Sequence, residues 1–128
     1  MSDLLKLLLV EDDELFRLGL STCFRQEPTI ELVVEAADGE TALDLAKQQI
    51  FDVVILDLGL PGLGGIETCL QLQKFYPDLP ILILTSHPDS QLVLELIEAG
   101  AKGYCHKGID AEKLVLAIRS IAAGVRIN

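Results

Sequence analysis

Acidic residues, hydroxyls and one lysine stand directly after short apolar runs in this sequence. They fall in four separated segments: Glu11-Asp12-Asp13, Asp57, Thr85-Ser86 and Lys107. A carboxylate can act as a nucleophile towards phosphorus and form an acyl phosphate. An ammonium group and a hydroxyl can stabilise the oxygens of the group being transferred. If the fold brings the four segments together, they could carry out phosphoryl transfer onto Asp57.

Three of these residues, Glu11, Asp12 and Asp57, would repel one another at close range. At about 5 Å and an effective dielectric near 20, each ionised pair costs roughly 3 kcal/mol. Either one carboxyl keeps its proton or a cation binds among them. Oxygen ligands with open positions for water and phosphate suit Mg²⁺ better than softer metals. We therefore expect a Mg²⁺ site, with the backbone carbonyl of Gly59 as a further candidate ligand.

Short β-branched or leucine-rich runs alternate with helical patterns about five times along the chain. The apolar runs are 5–10, 32–36, 53–56, 81–84 and 103–105, and the helices are expected near 14–26, 40–49, 65–75, 90–99 and 111–123. This alternation is typical of βα units around a parallel sheet. Runs 53–56 and 81–84 are continuously apolar, as expected of strands covered on both faces. Asp38 is expected to cap the second helix.

The predicted fold class is α/β: a doubly wound, five-stranded parallel sheet with strand order 2-1-3-4-5, of the flavodoxin-like (βα)5 type. The carboxyl ends of the strands in such a sheet meet at one edge, and ligands bind there where the strand order reverses. Strands one and three are neighbours in this order. Glu11, Asp12 and Asp57 are therefore expected to converge at that edge.

Composition limits the classes of protein that this chain can belong to. Its 128 residues suit one compact domain, and half of them are apolar, enough for a sizeable core. Twenty acidic residues against ten basic ones give a net charge of −10. Such a surface repels nucleic acid phosphates, so the chain itself is expected to bind DNA poorly. No apolar run approaches the roughly 20 residues that span a bilayer.

Cysteine usage and the amino terminus point to a cellular compartment. Cys23, Cys69 and Cys105 are odd in number, far apart and without a CxxC pair. This pattern argues against disulfides and zinc and for a reducing cytosol, with the thiols buried in apolar surroundings. The start of the sequence lacks the basic region of a secretion signal. A soluble, cytoplasmic protein is expected.

The sequence resembles the receiver domains of two-component response regulators, and the resemblance extends from about Leu5 to Ala123. The motifs that carry it are Val10-Glu11-Asp12-Asp13, Asp57-Leu58-Gly59-Leu60-Pro61-Gly62, Thr85-Ser86 and Gly103-Tyr104-Cys105-His106-Lys107. Their order and spacing match the pattern of that family. By this resemblance, residues 1–128 form a single receiver domain.

The resemblance implies a role for each residue of the acidic site. Asp57 would be the phosphoacceptor. Asp12 would bind Mg²⁺ directly, Glu11 would act through water, and Gly59 would give a carbonyl ligand. Lys107 would contact the phosphoryl group.

The resemblance also implies a conformational switch beside this site. Thr85, followed by Ser86, would move towards the phosphoryl oxygen, and Tyr104 would rotate inward behind it. These movements would alter a surface made by helix four, strand five and helix five. Two positions depart from the family pattern. Gly108 replaces the usual proline, so a trans bond is expected there, and His87 lies where the side chain is thought to tune phosphoryl lifetime.

The implied function is two-component signal transduction. A sensor histidine kinase would supply the phosphoryl group, and the chain would be a regulator that assists its own phosphorylation and dephosphorylation rather than an enzyme. The second half of segment 13–20 and the tail 114–124 are similar to the NarL/FixJ-like branch, whose receivers precede a LuxR-type helix-turn-helix domain. Residues 124–128 would then begin a linker to an output domain that is not present in this chain. DNA would be bound, and transcription controlled, only through that output domain. The alternative is a stand-alone or phosphorylation-independent receiver that acts as a protein-binding module.

Helices one and five are expected to expose apolar residues beyond their core-facing stripes. The inward positions are expected to be Phe16, Leu20, Cys23 and Phe24 in helix one and Leu114, Ile118 and Ile121 in helix five. The outward ones are Leu15, Leu18, Val115 and Ala122. Such a patch would suit a homodimer through helices one and five. The face of helix four, strand five and helix five is a second candidate, and scattered surface leucines are the alternative.

Two other classes of protein share part of this pattern. A phosphatase of the haloacid dehalogenase class also uses an aspartyl nucleophile with Mg²⁺. It normally has a second Asp two residues after the nucleophile, where this sequence has Gly59, and carries the nucleophile on its first strand. A flavodoxin-like flavin binder needs a hydroxyl- and amide-rich loop after strand one, where this sequence has the acidic segment 11–14. Both are disfavoured.

Overall fold

The computed structural model describes residues 4–125 as a five-stranded sheet flanked by five helices. The strands are β1 (Leu5–Val10), β2 (Ile30–Ala36), β3 (Val53–Asp57), β4 (Ile81–Thr85) and β5 (Gly103–His106). The helices are α1 (Glu14–Arg25), α2 (Gly39–Gln48), α3 (Gly65–Phe75), α4 (Gln91–Ala99) and α5 (Ala111–Ala122). Every predicted element is present. The largest difference is at β2, which begins two residues before the predicted run.

The strand order is β2-β1-β3-β4-β5 and all four pairings are parallel, which confirms the predicted flavodoxin-like architecture. β1 pairs with β2 on one side and β3 on the other, so the order reverses at β1. Val10 lies opposite Leu56 in the β1–β3 register. Glu11, the first residue after β1, and Asp57, the last residue of β3, therefore lie side by side.

Apolar side chains cover both faces of the sheet. Leu8 and Val10 of β1 belong to a buried cluster that is completed by α2, α3 and α4. The alternate residues, Leu7 and Leu9, belong to a second cluster completed by α1 and α5. All five residues of β3 and of β4 are buried, as the continuously apolar runs 53–56 and 81–84 predict for the first four residues of each strand. Each fully buried leucine contributes about 1.5–3 kcal/mol relative to an exposed one.

Capping residues fix the ends of the helices near the site. Asp38 caps α2 as predicted, and its carboxylate accepts a hydrogen bond of 2.7 Å from the Thr41 amide. This bond lowers the pKa of Asp38. Asp13 caps α1 in the same way, by accepting from the Phe16 amide at 3.0 Å. The α1 helix is thus anchored directly after the acidic segment.

The prediction for helix five is wrong at Val115, which was expected to face outward but is only 5% exposed. The α5 helix contacts both β3 and α1, so its buried stripe is wider than one core-facing row. On α1, the outward prediction is confirmed: Leu15 is 80% and Leu18 57% exposed. Ala122 is half-buried against the core.

The prediction of three buried thiols is wrong at one position. Cys69 and Cys105 are buried, whereas Cys23 is half-buried. No helix within residues 4–125 is long and apolar enough to cross a membrane. Of the expected linker start at 124–128, Gly124 and Val125 follow α5, and 126–128 lie outside the described residues.

Candidate functional site

Three carboxylates meet where β1 and β3 end. Carboxylate oxygens of Glu11, Asp12 and Asp57 all lie within 4.8 Å of one another. Glu11 is fully buried, Asp57 is 4% exposed, and Asp12 is open to solvent. The parallel pairing of β1 with β3 produces this arrangement, because it carries both chain segments to the same edge.

Glu11 is held by contacts with three residues. Its backbone amide donates to the Ala36 carbonyl at 3.0 Å, which continues the β1–β2 pairing by one residue. Its Oε2 accepts from the Asp13 amide at 2.9 Å, and its Oε1 lies 3.0 Å from Lys107 Nζ. Burial raises the pKa of Glu11, and the neighbouring Asp57 charge adds to that effect, while the bonds from Asp13 and Lys107 oppose it.

Lys107 is the cation of this cluster. Its Nζ lies 3.0 Å from Glu11 Oε1, 3.4 Å from Asp57 Oδ2 and 4.8 Å from the centre of the Phe16 ring. Burial by itself would lower the pKa of Lys107. The hydrogen bond with Glu11 and the charge of Asp57 outweigh that effect and raise the pKa above its ordinary value. The ammonium therefore stays charged at neutral pH and has a negative partner on two sides.

The Asp57 carboxylate is oriented by the loop after β3. Its Oδ1 accepts from the Gly59 amide at 3.0 Å, which leaves Oδ2 towards Lys107. The α3 helix starts at Gly65 against the backbone of Asp57 and Leu58, where a side chain would overlap both residues. Gly59, the predicted carbonyl ligand, thus lies beside the acid and contacts it through its N–H.

The hydroxyl residues and the acidic residues line one cleft of about 630 Å³. The site residues that line the cleft are Glu11, Asp12, Asp57, Gly59, Thr85, Ser86 and Lys107. Thr85 is 6% exposed, and its Oγ1 accepts from the His87 amide at 3.0 Å. Tyr104 does not line the cleft. It is half-buried and packs against the apolar cluster under α2, α3 and α4.

Two side chains that contact the site were not among the predicted site residues. Phe16, assigned to the core alone, also contacts Lys107, and Arg17 donates to the Glu11 carbonyl at 2.8 Å. The signal for both was their place in the first turn of α1, directly after the acidic segment. The described residues contain no cis peptide bond, so the bond between Lys107 and Gly108 is trans as expected.

The donor set fits a hard divalent cation. Three carboxylates face a single ammonium group, so negative charge at the cluster exceeds positive charge. All the side-chain donors of the cluster are oxygens, which suit Mg²⁺. Glu11, Asp12 and Asp57 are the residues that could hold it.

Comparison with known proteins agrees with this fold. A family model described as the response regulator receiver domain matches residues 7–119. The chain is 36% identical to the response regulator UvrY of Escherichia coli (strain K12), over 96% of this chain and 56% of that protein. It is 38% identical to the nitrate/nitrite response regulator protein NarP of Escherichia coli (strain K12), over 95% and 57% respectively.

Among solved structures, a two-component response regulator of the LuxR family from Aurantimonas sp. SI85-9A1 superposes with a TM-score of 0.90 and 38% identity. The match covers 98% of this chain and 89% of that one. The chain spans about half the length of the curated relatives it matches. These relatives confirm the resemblance seen in the motifs, and we conclude that the chain belongs to the response regulator receiver domain family, among relatives of the LuxR/NarL type.

Proposed function

We propose that this chain is a phosphorylation switch in which Asp57 accepts a phosphoryl group from a sensor histidine kinase in a Mg²⁺-dependent reaction. The observation that carries the proposal is the surroundings of Asp57. Its nearly buried carboxylate lies within 4.8 Å of those of Glu11 and Asp12, and the Lys107 ammonium lies 3.4 Å from it. This is an arrangement for anchoring a cation and a phosphoryl group against one nucleophile.

In the proposed reaction a carboxylate oxygen of Asp57 forms a bond to phosphorus as the phosphorus–nitrogen bond of the donor phosphohistidine breaks. The electron pair of that bond returns to the imidazole nitrogen. Asp12, Asp57, Glu11 through water and the Gly59 carbonyl would hold Mg²⁺, which when bound would offset the negative charge that faces the incoming group. Lys107 moves from its carboxylate partners to a phosphoryl oxygen.

The switch begins at Thr85. Its hydroxyl accepts from the His87 amide, so its own proton is free to be donated to a phosphoryl oxygen. Thr85 and Ser86 then close on the phosphoryl group, and Tyr104 moves into the space behind them. The new charge-assisted bonds favour one of two packings of the α4-β5-α5 face.

The output of the switch is control of transcription by a DNA-binding domain attached after the receiver. The LuxR/NarL-type relatives support this part of the proposal, because each is nearly twice as long as this chain. Response regulators of this type act in the cytoplasm. The receiver acts on its own aspartate and assists both gain and loss of the phosphoryl group, so we classify it as a regulator rather than an enzyme.

The test is incubation with acetyl phosphate, with and without Mg²⁺, followed by measurement of the intact mass. We expect a gain of one phosphoryl group that needs Mg²⁺ and is absent in Asp57→Asn. Wild-type protein that binds Mg²⁺ but gains no mass would contradict the proposal and favour a phosphorylation-independent binding module. Turnover of an added phosphomonoester would indicate a phosphatase instead.

A further inference from the structure

Arg17 joins the acidic site to the outer strand of the sheet. Its Nη1 donates to the Glu11 carbonyl at 2.8 Å, and its Nε donates to Glu35 Oε1 of β2 at 3.1 Å. The Arg17 side chain is only 18% exposed. One guanidinium group therefore ties the loop after β1 to an element on the far side of β1 from Asp57.

The bond to the Glu11 carbonyl acts on the next residue. The carbonyl of Glu11 and the amide of Asp12 belong to one rigid peptide plane. The Glu11 amide is bound to Ala36, and its carbonyl is bound to Arg17, so both peptide units of Glu11 are held. The orientation of the peptide plane between Glu11 and Asp12 sets the direction in which the Asp12 side chain leaves the backbone.

Asp12 depends on this backbone support more than its neighbours do. Glu11 and Asp57 have side-chain contacts with Lys107 and with backbone amides. Within residues 4–125, no hydrogen bond or ion pair fixes the exposed carboxylate of Asp12. Its position relative to Asp57 is therefore set by the backbone, which Arg17 holds.

Glu35 in turn fixes Arg17. Its Oε2 accepts from Arg25 Nη2 at 3.1 Å, and that nitrogen also donates to the Val33 carbonyl at 3.0 Å. The planar guanidinium of Arg17 reaches Glu11 and Glu35 with two donors of fixed relative direction. Arg25 shares Glu35 with Arg17 but makes no contact with Glu11, and it is 51% exposed.

We propose that Arg17 is a positioning residue for the Mg²⁺ site: by holding the peptide between Glu11 and Asp12, it sets the Asp12 carboxylate against Asp57. The inference rests on the proposed Mg²⁺-dependent function. The inference predicts a change in Mg²⁺ affinity opposite in sign to the change expected from loss of the Arg17 charge alone. Removal of a positive charge near a cation site should tighten cation binding, whereas loss of the Arg17 bond to Glu11 should weaken it.

The test compares Arg17→Met with Arg25→Met by titrating each metal-free protein with Mg²⁺ in a calorimeter. The two variants lose the same charge and the same donor type, but only Arg17→Met loses the contact with Glu11. We expect about tenfold weaker Mg²⁺ binding in Arg17→Met, the usual scale for partners that orient metal ligands. Arg25→Met should bind as the wild type does or slightly more tightly.

Arg17→Lys keeps the charge and the aliphatic stem but cannot span both acceptors, so it should bind Mg²⁺ several-fold more weakly than the wild type. If circular dichroism shows that Arg17→Met does not fold, the Mg²⁺ affinity of Arg17→Lys tests the inference instead. Unchanged or tighter binding in the folded Arg17 variants, or equal weakening in Arg25→Met, would overturn the inference. A wild type that binds no Mg²⁺ would instead overturn the proposed function on which the inference rests.

Discussion

Lys107 is the counter-ion of two carboxylates that are almost inaccessible to water. Removing it as Lys107→Met leaves Glu11 and Asp57 charged and without that partner. Because the Lys107 side chain is 24% exposed, we expect a loss of roughly 1–3 kcal/mol in the free energy of unfolding, below the value for a fully buried pair. Urea unfolding at neutral pH without Mg²⁺ measures it. Mg²⁺ should stabilise this variant more than the wild type.

The contribution of Lys107 has a definite pH dependence. Its folded-state pKa is raised above the ordinary 10.5, chiefly by Glu11 and Asp57 acting against burial. The stabilisation by Lys107 is therefore complete below the ordinary pKa of 10.5 and is lost as the pH rises through the folded-state pKa. The stability difference between wild type and Lys107→Met should therefore shrink as the pH rises above 10.5. An undiminished difference there would show that the lysine acts through packing alone.

The cysteines should differ in reactivity. Burial raises the pKa of the Cys69 thiol to about 12 and also raises that of Cys105, so both stay protonated in mildly alkaline solution. Cys23 is half-buried. Since thiolates are the reacting species, iodoacetamide should modify Cys23 first in the folded protein and all three cysteines in denaturant. Mass spectrometry of digested peptides identifies the modified sites, and early labelling of Cys69 would contradict the expectation.

At the scale of elements, the contact between the start of α3 and the loop after β3 depends on one glycine. A Cβ at Gly65 would overlap the Leu58 Cα and the Asp57 carbonyl oxygen. We expect Gly65→Ala to destabilise the fold by about 1–3 kcal/mol, because the backbone that carries Asp57 must shift. It should also slow phosphorylation by acetyl phosphate.

The matched control is Gly19→Ala on α1, where an added Cβ meets nothing within 4 Å. Alanine favours a helix over glycine by about 0.5–1 kcal/mol, so this variant should be more stable than the wild type. Thermal unfolding of both variants gives the comparison. A Gly65→Ala protein as stable as Gly19→Ala would show that α3 does not press on the loop after β3.

The sequence predicts the elements well because burial on both faces of a parallel sheet leaves a strong pattern. Short, continuously apolar runs such as 53–56 and 81–84 indicate strands that are buried on both faces. The order of these strands in the sheet then brings Glu11 and Asp57 together. The pattern fails at Val115. The spacing of apolar residues within α5 does not reveal that this helix packs against both β3 and α1. The pattern also misses the bond between Arg17 and Glu35, which depends on side-chain reach across 18 positions.

The molecule as a whole presents two opposite tendencies for self-association. Its net charge of −10 makes two copies repel each other, and salt weakens that repulsion. Against this, α1 exposes Leu15 and Leu18 on the face of the sheet that α1 shares with α5. We therefore expect any dimer that buries these leucines to become tighter as the salt concentration rises.

The exposed leucines also distinguish the two candidate dimer surfaces. Leu18 of α1 and Leu94 of α4 are 57% and 48% exposed, and their helices cover opposite faces of the sheet. If the phosphorylated chain dimerises through α1 and α5, Leu18→Glu should weaken the dimer by at least about tenfold, because a charge would enter an apolar contact between two acidic chains. Leu94→Glu, with the same change in charge, should leave it intact. Sedimentation of both variants after treatment with acetyl phosphate gives the answer, and the reverse pattern would assign the interface to the α4-β5-α5 face.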